Sequence, residues 1–237
     1  MISLNNISFK YPKTEFNVIN GVNINFEKNL VNVLIGLNGA GKTTLFDLLI
    51  GQYRPSEGQI INLPKYEDIL YHLQGAYISY LVTGKDYVRL IFSISGKKFV
   101  DDINAIISEI DLRSERELTL FSQLWNKRIG QMSVGERKWL YIMTLTQIKK
   151  KLYIFDEPTA GVDPSSRIKI YKRMEKLTEN DDSTIIFSTH HLHELKDIKC
   201  KIIFLHKGEI IFQGNYTQYI SNFDTTNPDE IFDRFIS

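Results

Sequence analysis

Three observations predict an α/β fold organised round a phosphate-binding loop. The apolar run Leu30–Ile35 leads into Gly36-Leu37-Asn38-Gly39-Ala40-Gly41-Lys42-Thr43-Thr44, and Leu45–Ile50 then reads as the start of a helix. The G-x-x-x-x-G-K-T spacing between a strand and a helix is the context a phosphate loop requires. Two later apolar runs end in polar residues, Leu152–Phe155 in Asp156-Glu157 and Thr184–Phe187 in Ser188-Thr189-His190-His191. In open parallel sheets, ligands gather at the carboxyl ends of strands.

The loop's chemistry follows from its residue types. Gly36, Gly39 and Gly41 let the backbone wrap closely enough to aim N–H groups at a polyphosphate. The following helix adds its unpaired N–H groups and the positive end of its dipole. Lys42 reaches the outer phosphates, and the Thr43 hydroxyl holds magnesium.

Bulk properties narrow the class. A chain of 237 residues supports one substantial core, or one core with a subdomain. A net charge of +1 argues against a dedicated nucleic-acid binder. Cys200 is the sole cysteine, so no internal disulfide forms, which suits a reducing compartment. The stretch from Tyr77 to Ile94 is broken by Lys85, Asp86 and Arg89, so no bilayer-crossing run is expected, and Met1–Asn6 carries no signal-peptide pattern. The expectation is a soluble cytosolic protein.

Taken in order, Ile2, Leu4, Ile7 and Phe9 alternate with mostly polar residues, and Val22–Phe26 alternates again. Both read as half-buried antiparallel strands. Tyr11, in the turn between them, either packs or stacks on a nucleobase. Gln52–Gly58 is turn-rich, and Gln59–Ile61 reads as a short strand. Gln74 closes the segment from Ile69; taken alone it is an ordinary solvated amide.

From about 75 to 130 the apolar spacing becomes helical, as at Val100, Ile103, Ile106, Ile107 and Ile110, and aromatics are frequent. This reads as a helical insertion whose aromatics form either a core or a groove for a partner protein. Ser133 and Glu136 make a capping box at the start of a helix running from Arg137 to about Lys150. A capped helix start also suits an external phosphate.

Asp156 and Glu157 either emerge into solvent or serve a cation. Beside a phosphate loop, Asp156 is expected to hold magnesium and Glu157 to activate water. A turn at Ala160–Pro164, an amphipathic helix from Ser165 to about Lys176, a hairpin through His206-Lys207-Gly208, and a short helical tail from Tyr216 complete the chain. His190, ending a core strand, is a candidate site residue.

With these motifs in order, the chain resembles the nucleotide-binding subunit of an ATP-binding cassette (ABC) transporter over about residues 2–214. Gly36–Thr44 is similar to that family's Walker A loop, Gln74 to its glutamine loop, and Ser133-Val134-Gly135-Glu136 to its signature motif. Leu152–Glu157 resembles Walker B with its catalytic glutamate, Gly161-Val162-Asp163 the D-loop, and His190 the switch histidine. Tyr11 falls where the family places its adenine-stacking aromatic.

The resemblance implies a P-loop NTPase of ABC ATPase type. Its parts are a RecA-like core, an antiparallel β subdomain and a helical subdomain at about 75–150, in one domain with a tail at 215–237. It implies ATP and Mg2+, with Thr43, Gln74 and Asp156 serving the metal. Lys42, Glu157 and His190 are then catalytic, and Ser133, Gly135 and Glu136 meet the nucleotide of a second ATPase subunit in a homodimer or heterodimer. It implies a membrane-spanning partner, a place on the inner face of the cell membrane, and no nucleic acid. The loop and the Gly161–Pro164 turn are similar to cassettes of bacterial exporters for drugs, peptides or lipid-linked molecules. The alternative is a non-transport ABC ATPase acting on nucleic acid or the ribosome.

One departure matters. Where the signature usually reads S-G-G-Q, Val134 adds a stiff side chain and Glu136 a negative charge expected near polyphosphate.

Overall fold

The computed structural model describes every residue except 74, 76, 77, 180 and 181. It forms two compact units. The first comprises Met1–Gln74, Lys150–Pro158 and Met174–Ser237; the second comprises Gly75–Lys149 and Thr159–Arg173.

The chain opens with β1 (Ile2–Phe9), β2 (Ile19–Phe26), β3 (Val31–Ile35), α1 (Lys42–Leu49), β4 (Glu57–Ile61) and β5 (Ile69–His72). Helices α2 (Gly84–Ile94), α3 (Ile103–Ile110), α4 (Glu115–Trp125) and α5 (Val134–Leu145) follow. Then come β6 (Leu152–Phe155), α6 (Pro164–Thr178), β7 (Thr184–Ser188), β8 (Cys200–His206), β9 (Glu209–Asn215), α7 (Tyr216–Ile220) and α8 (Pro228–Ile236).

In the first unit, β2-β1-β4 form an antiparallel sheet. Ile2, Leu4, Ile7 and Phe9 are buried, as the alternation requires, with bulges at the irregular steps. The second sheet runs β5-β6-β7-β3-β8-β9, parallel except for β9. β3 is wholly buried between β7 and β8. Its one polar residue, Asn32, is satisfied: its Oδ1 accepts from Glu27 N, and its Nδ2 donates to Glu27 O and Ile185 O. The β8–β9 hairpin turns at Lys207 and Gly208, both at positive φ, as a two-residue hairpin turn requires. This order brings the carboxyl ends of β3, β7 and β6 side by side, with β7 in the middle.

In the second unit each of α2–α5 starts on a capping side chain: Thr83, Asp102, Ser114 and Ser133. Tyr87, Phe92, Phe121 and Trp125 are buried, which settles those aromatics as core. Among the described residues of this unit, the large apolar side chains left exposed are Tyr80, Leu81, Leu90, Ile94, Val100 and Val134, of which Leu81 is 75% exposed.

Some boundaries differ from expectation. The helix expected from Arg137 to about Lys150 starts on the Ser133 cap and ends at Leu145. Val100 precedes α3 and is exposed, so its helical spacing was coincidental. β2 begins at Ile19 because Phe9 pairs there. The tail is two helices, α7 and α8.

Candidate active site

The loop after β3 is shaped by close backbone approach. Gly36 has φ 156°, and a Cβ there would collide with the Leu205 carbonyl oxygen. Gly41 has φ 108°, and its Cβ would meet Ile19 Cδ1 at 2.9 Å. No side chain caps α1, so its first N–H groups open toward the loop. Gly36, Ala40, Gly41 and Thr44 are buried, whereas Leu37, Asn38, Gly39 and Thr43 are exposed.

Lys42 is folded onto this loop: its Nζ donates to Gly36 O at 2.7 Å and to Leu37 O at 3.1 Å. Burial pushes its ammonium pKa down, opposed by the charges of Glu157 and Asp156. The ammonium is thus held by the loop's own carbonyls.

The carboxylates emerging from β6 are tied to the start of α1 and the end of β7. Asp156 is buried; its Oδ2 accepts from Thr43 Oγ1 at 3.2 Å and its Oδ1 from Ser188 Oγ at 2.6 Å. Ser188 Oγ also accepts from Glu157 N at 2.8 Å. Glu157 has φ 46°, a left-handed conformation uncommon outside glycine and enriched at functional sites. His190 Nδ1 lies 3.6 Å from Glu157 Oε1; the His190 side chain is 57% exposed and that of Glu157 13%.

The structure therefore brings together Lys42, Thr43, Asp156, Glu157 and His190. Thr43 and Asp156 present hard oxygens face to face, a donor set that fits Mg2+, which binds few protein ligands and retains water. Asp47, one turn beyond Thr43, has its carboxyl pKa raised by burial and then by Asp156. Gln74 lies outside the described residues. Tyr11 Oη is 2.9 Å from Thr44 Oγ1, while its ring meets Phe9 and Tyr53 edge-on.

Ser188 is the site residue that sequence reasoning missed. Its signal was a small hydroxyl closing a buried strand, but its partners belong to β6, whose place beside β7 is a property of the sheet.

In the second unit, Ser133 Oγ accepts from Glu136 N at 3.1 Å, and Glu136 Oε2 accepts from Ser133 N at 2.6 Å. Both Glu136 oxygens also take Lys127 Nζ, at 3.0 and 2.9 Å. Burial would raise this carboxyl's pKa, but Lys127 and the cap bonds outweigh it and pull it down. The negative charge expected of Glu136 is thus neutralised within its own unit. Gly135 packs closely, since a Cβ there would meet Gly161 O at 3.1 Å. Val134 is 49% exposed, and its Cγ1 stands 3.1 Å from where a side chain on Gly161 would begin.

A mainly parallel sheet whose strand feeds a glycine loop and an uncapped helix, with paired carboxylates two strands away across β7, defines a phosphate-loop nucleotide-binding protein. The family model described as "ABC transporter" matches residues 19–160, and the chain belongs to that family. It is 33% identical over 129 residues to the ABC transporter ATP-binding protein AlbC of Bacillus subtilis, covering 54% of this chain and 50% of that one. It is 31% identical over 93 residues to the glutamine transport ATP-binding protein GlnQ of Escherichia coli, covering 39% and 38%. The chain spans about half the length of the first curated relatives it matches. Its fold is shared with a dimeric bacterial ABC transporter cassette, with TM-score 0.70 and 21% identity over 91% of this chain and 99% of that one.

Proposed function

We propose that the chain is the ATP-hydrolysing subunit of an ABC transporter, converting ATP and water to ADP and phosphate to drive a separate membrane-spanning subunit. The observation that carries this is the chain of bonds from Thr43 through Asp156 and Ser188 to Glu157, anchored beside a phosphate loop with His190 in reach.

The roles follow from chemistry. The amides from Gly36 to Thr44 cradle the phosphates, and Lys42 exchanges its loop carbonyls for phosphate oxygens. Tyr11 contacts adenine. Thr43, Asp156 and Gln74 hold Mg2+, which offsets phosphate charge. Glu157 accepts a proton as water attacks the γ-phosphorus and the bond to the β-phosphate oxygen breaks. His190 orients the γ-phosphate.

Ser133 and Gly135, at the start of α5, meet the γ-phosphate held by a second copy or a close relative. Glu136 acts there through the cap, since its carboxylate is engaged by Ser133 and Lys127. The helical segment about 75–150 and the tail at 215–237 are read as parts of one ATPase domain. Exposed Leu81, Leu90 and Ile94 suit docking on a membrane partner at the inner face of the cell membrane. No helix among the described residues is long and apolar enough to cross a membrane.

Glu157→Gln is expected to bind ATP yet turn over at least ~100-fold slower. Near-normal turnover would remove Glu157 as the base. Direction is the finer part of the proposal. Export is favoured by the likeness of Asn38–Thr44 and Gly161–Pro164 to exporter cassettes, while GlnQ is named for glutamine transport. In vesicles with the ATPase facing outward, export loads the lumen as ATP is consumed; cargo leaving the lumen contradicts it.

A further inference from the structure

His190 is half exposed, so its own burial does not fix it beside Glu157. The segment carrying it leaves β7 at Ser188 and enters a 3-10 turn, His193–Asp197. On the near side, His191 N donates to Thr189 Oγ1 at 3.0 Å. On the far side, His193 Nε2 lies 3.1 Å from Asp229 Oδ2, in the first turn of α8.

Helix α8 is firmly seated. Phe232 stacks on Phe204 at 4.6 Å, Phe235 meets Phe212, Tyr219 and Phe223, and Ile231 is fully buried. Asn227 caps its start, and Tyr219 Oη donates to Pro228 O at 3.1 Å. Residues 229, 232 and 233 share one stripe of this helix. That stripe lines a cavity of about 590 Å3 together with Gly36, Glu157 and His190. One wall of the candidate active site is therefore the C-terminal helix.

We propose that Asp229 is a positioning residue for the reaction: by holding His193, it sets where His190 stands against Glu157. This rests on the ATPase reading above. The Asp229–His193 pair is 61% exposed at both side chains, and exposed pairs add little to global stability. Its effect is expected in turnover, with unfolding almost unmoved.

The test is steady-state ATP hydrolysis by Asp229→Ala, His193→Ala and the double variant. Arg234→Ala is the control: it loses a cation–π contact 5.7 Å from the Phe223 ring on the same helix. A pair worth up to ~1 kcal/mol corresponds to about fivefold. Asp229→Ala is therefore expected to lower kcat about fivefold with KM for ATP nearly constant. His193→Ala does the same, the double variant falls no further, and Asp229→Asn, whose amide oxygen still accepts, recovers most of the loss. Arg234→Ala keeps the parent rate. An unchanged kcat in Asp229→Ala, multiplying losses in the double variant, or an equal loss in Arg234→Ala overturns the proposal.

A parent protein that does not hydrolyse Mg-ATP instead refutes the ATPase reading. Amide exchange over residues 189–196 then tests the brace alone: faster exchange in Asp229→Ala supports it, and unchanged exchange overturns it.

Discussion

Ser188→Ala probes the bond network on which the site depends. The hydroxyl is fully buried, donates to Asp156 Oδ1 at 2.6 Å and accepts from Glu157 N at 2.8 Å. A hydrogen bond to a charged group contributes roughly 1.5–3 kcal/mol, and a buried donor left unpaired costs about 1–3 kcal/mol. The two bonds share one oxygen, so a total near ~3 kcal/mol is expected rather than the upper sum. For a chain of this length that corresponds to a fall in Tm of roughly 6–12 °C.

Turnover should fall with it. Glu157 sits at φ 46° and loses the bond that fixes its amide, and a displacement of about 1 Å can cost ~100-fold in rate. Thermal unfolding followed by circular dichroism reads the first effect, and phosphate release the second. A Tm within about 1 °C of the parent, less than ~0.5 kcal/mol, would show that the hydroxyl does not carry these bonds.

Three further outcomes are expected. Val134→Gly should tighten ATP-dependent pairing, because it removes an exposed, stiff side chain from the start of α5; unchanged ATP affinity and unchanged turnover would remove Val134 as a restraint. For Asp163, burial alone would raise the carboxyl pKa, but bonds from Ser165 and Ser166 and the Arg116 charge pull it down to about 2. A carboxyl lowered on folding contributes stability above its unfolded pKa and loses it as pH falls through the folded value. Asp163 is 52% exposed, so after allowance for solvent screening Asp163→Asn should cost at most about 1 kcal/mol at pH 6, with the gap closing between roughly pH 4 and 2. A gap constant with pH would contradict the assignment. Lys127→Met should leave the Glu136 carboxylate with only its Ser133 cap bond and no countercharge, lowering stability by about 1 kcal/mol, while Lys127→Met with Glu136→Gln should recover part of that in urea unfolding.

Much of the site lies in contiguous residues and was legible for that reason. Gly36–Thr44 was legible because strand, loop and helix are consecutive, although Leu205 and Ile19, which press on Gly36 and Gly41, lie far away in the sequence. Asp156-Glu157 and His190 were legible as polar ends of apolar runs. The Lys207-Gly208 hairpin followed from local turn chemistry. Ser188 was not legible, because its value depends on β7 lying between β3 and β6, a fact of sheet order. The placement of α8 was hidden for the same reason: an amphipathic pattern shows that a face is buried, not against what. The fate of the Glu136 charge depended on Lys127, which precedes the helix and meets it only once the intervening 3-10 turn, Ile129–Gln131, has formed. Val100 misled because apolar spacing alone cannot show that the chain is still outside the helix.

The proposed function requires triphosphate bound by the loop of one copy and sealed by Ser133 of another. Light scattering of Glu157→Gln tests it most directly. The mass is expected to double on adding Mg-ATP, to stay single with ADP, and to stay single with Mg-ATP when Ser133→Arg is added. A Glu157→Gln protein that binds Mg-ATP yet remains a single copy at saturation would contradict it.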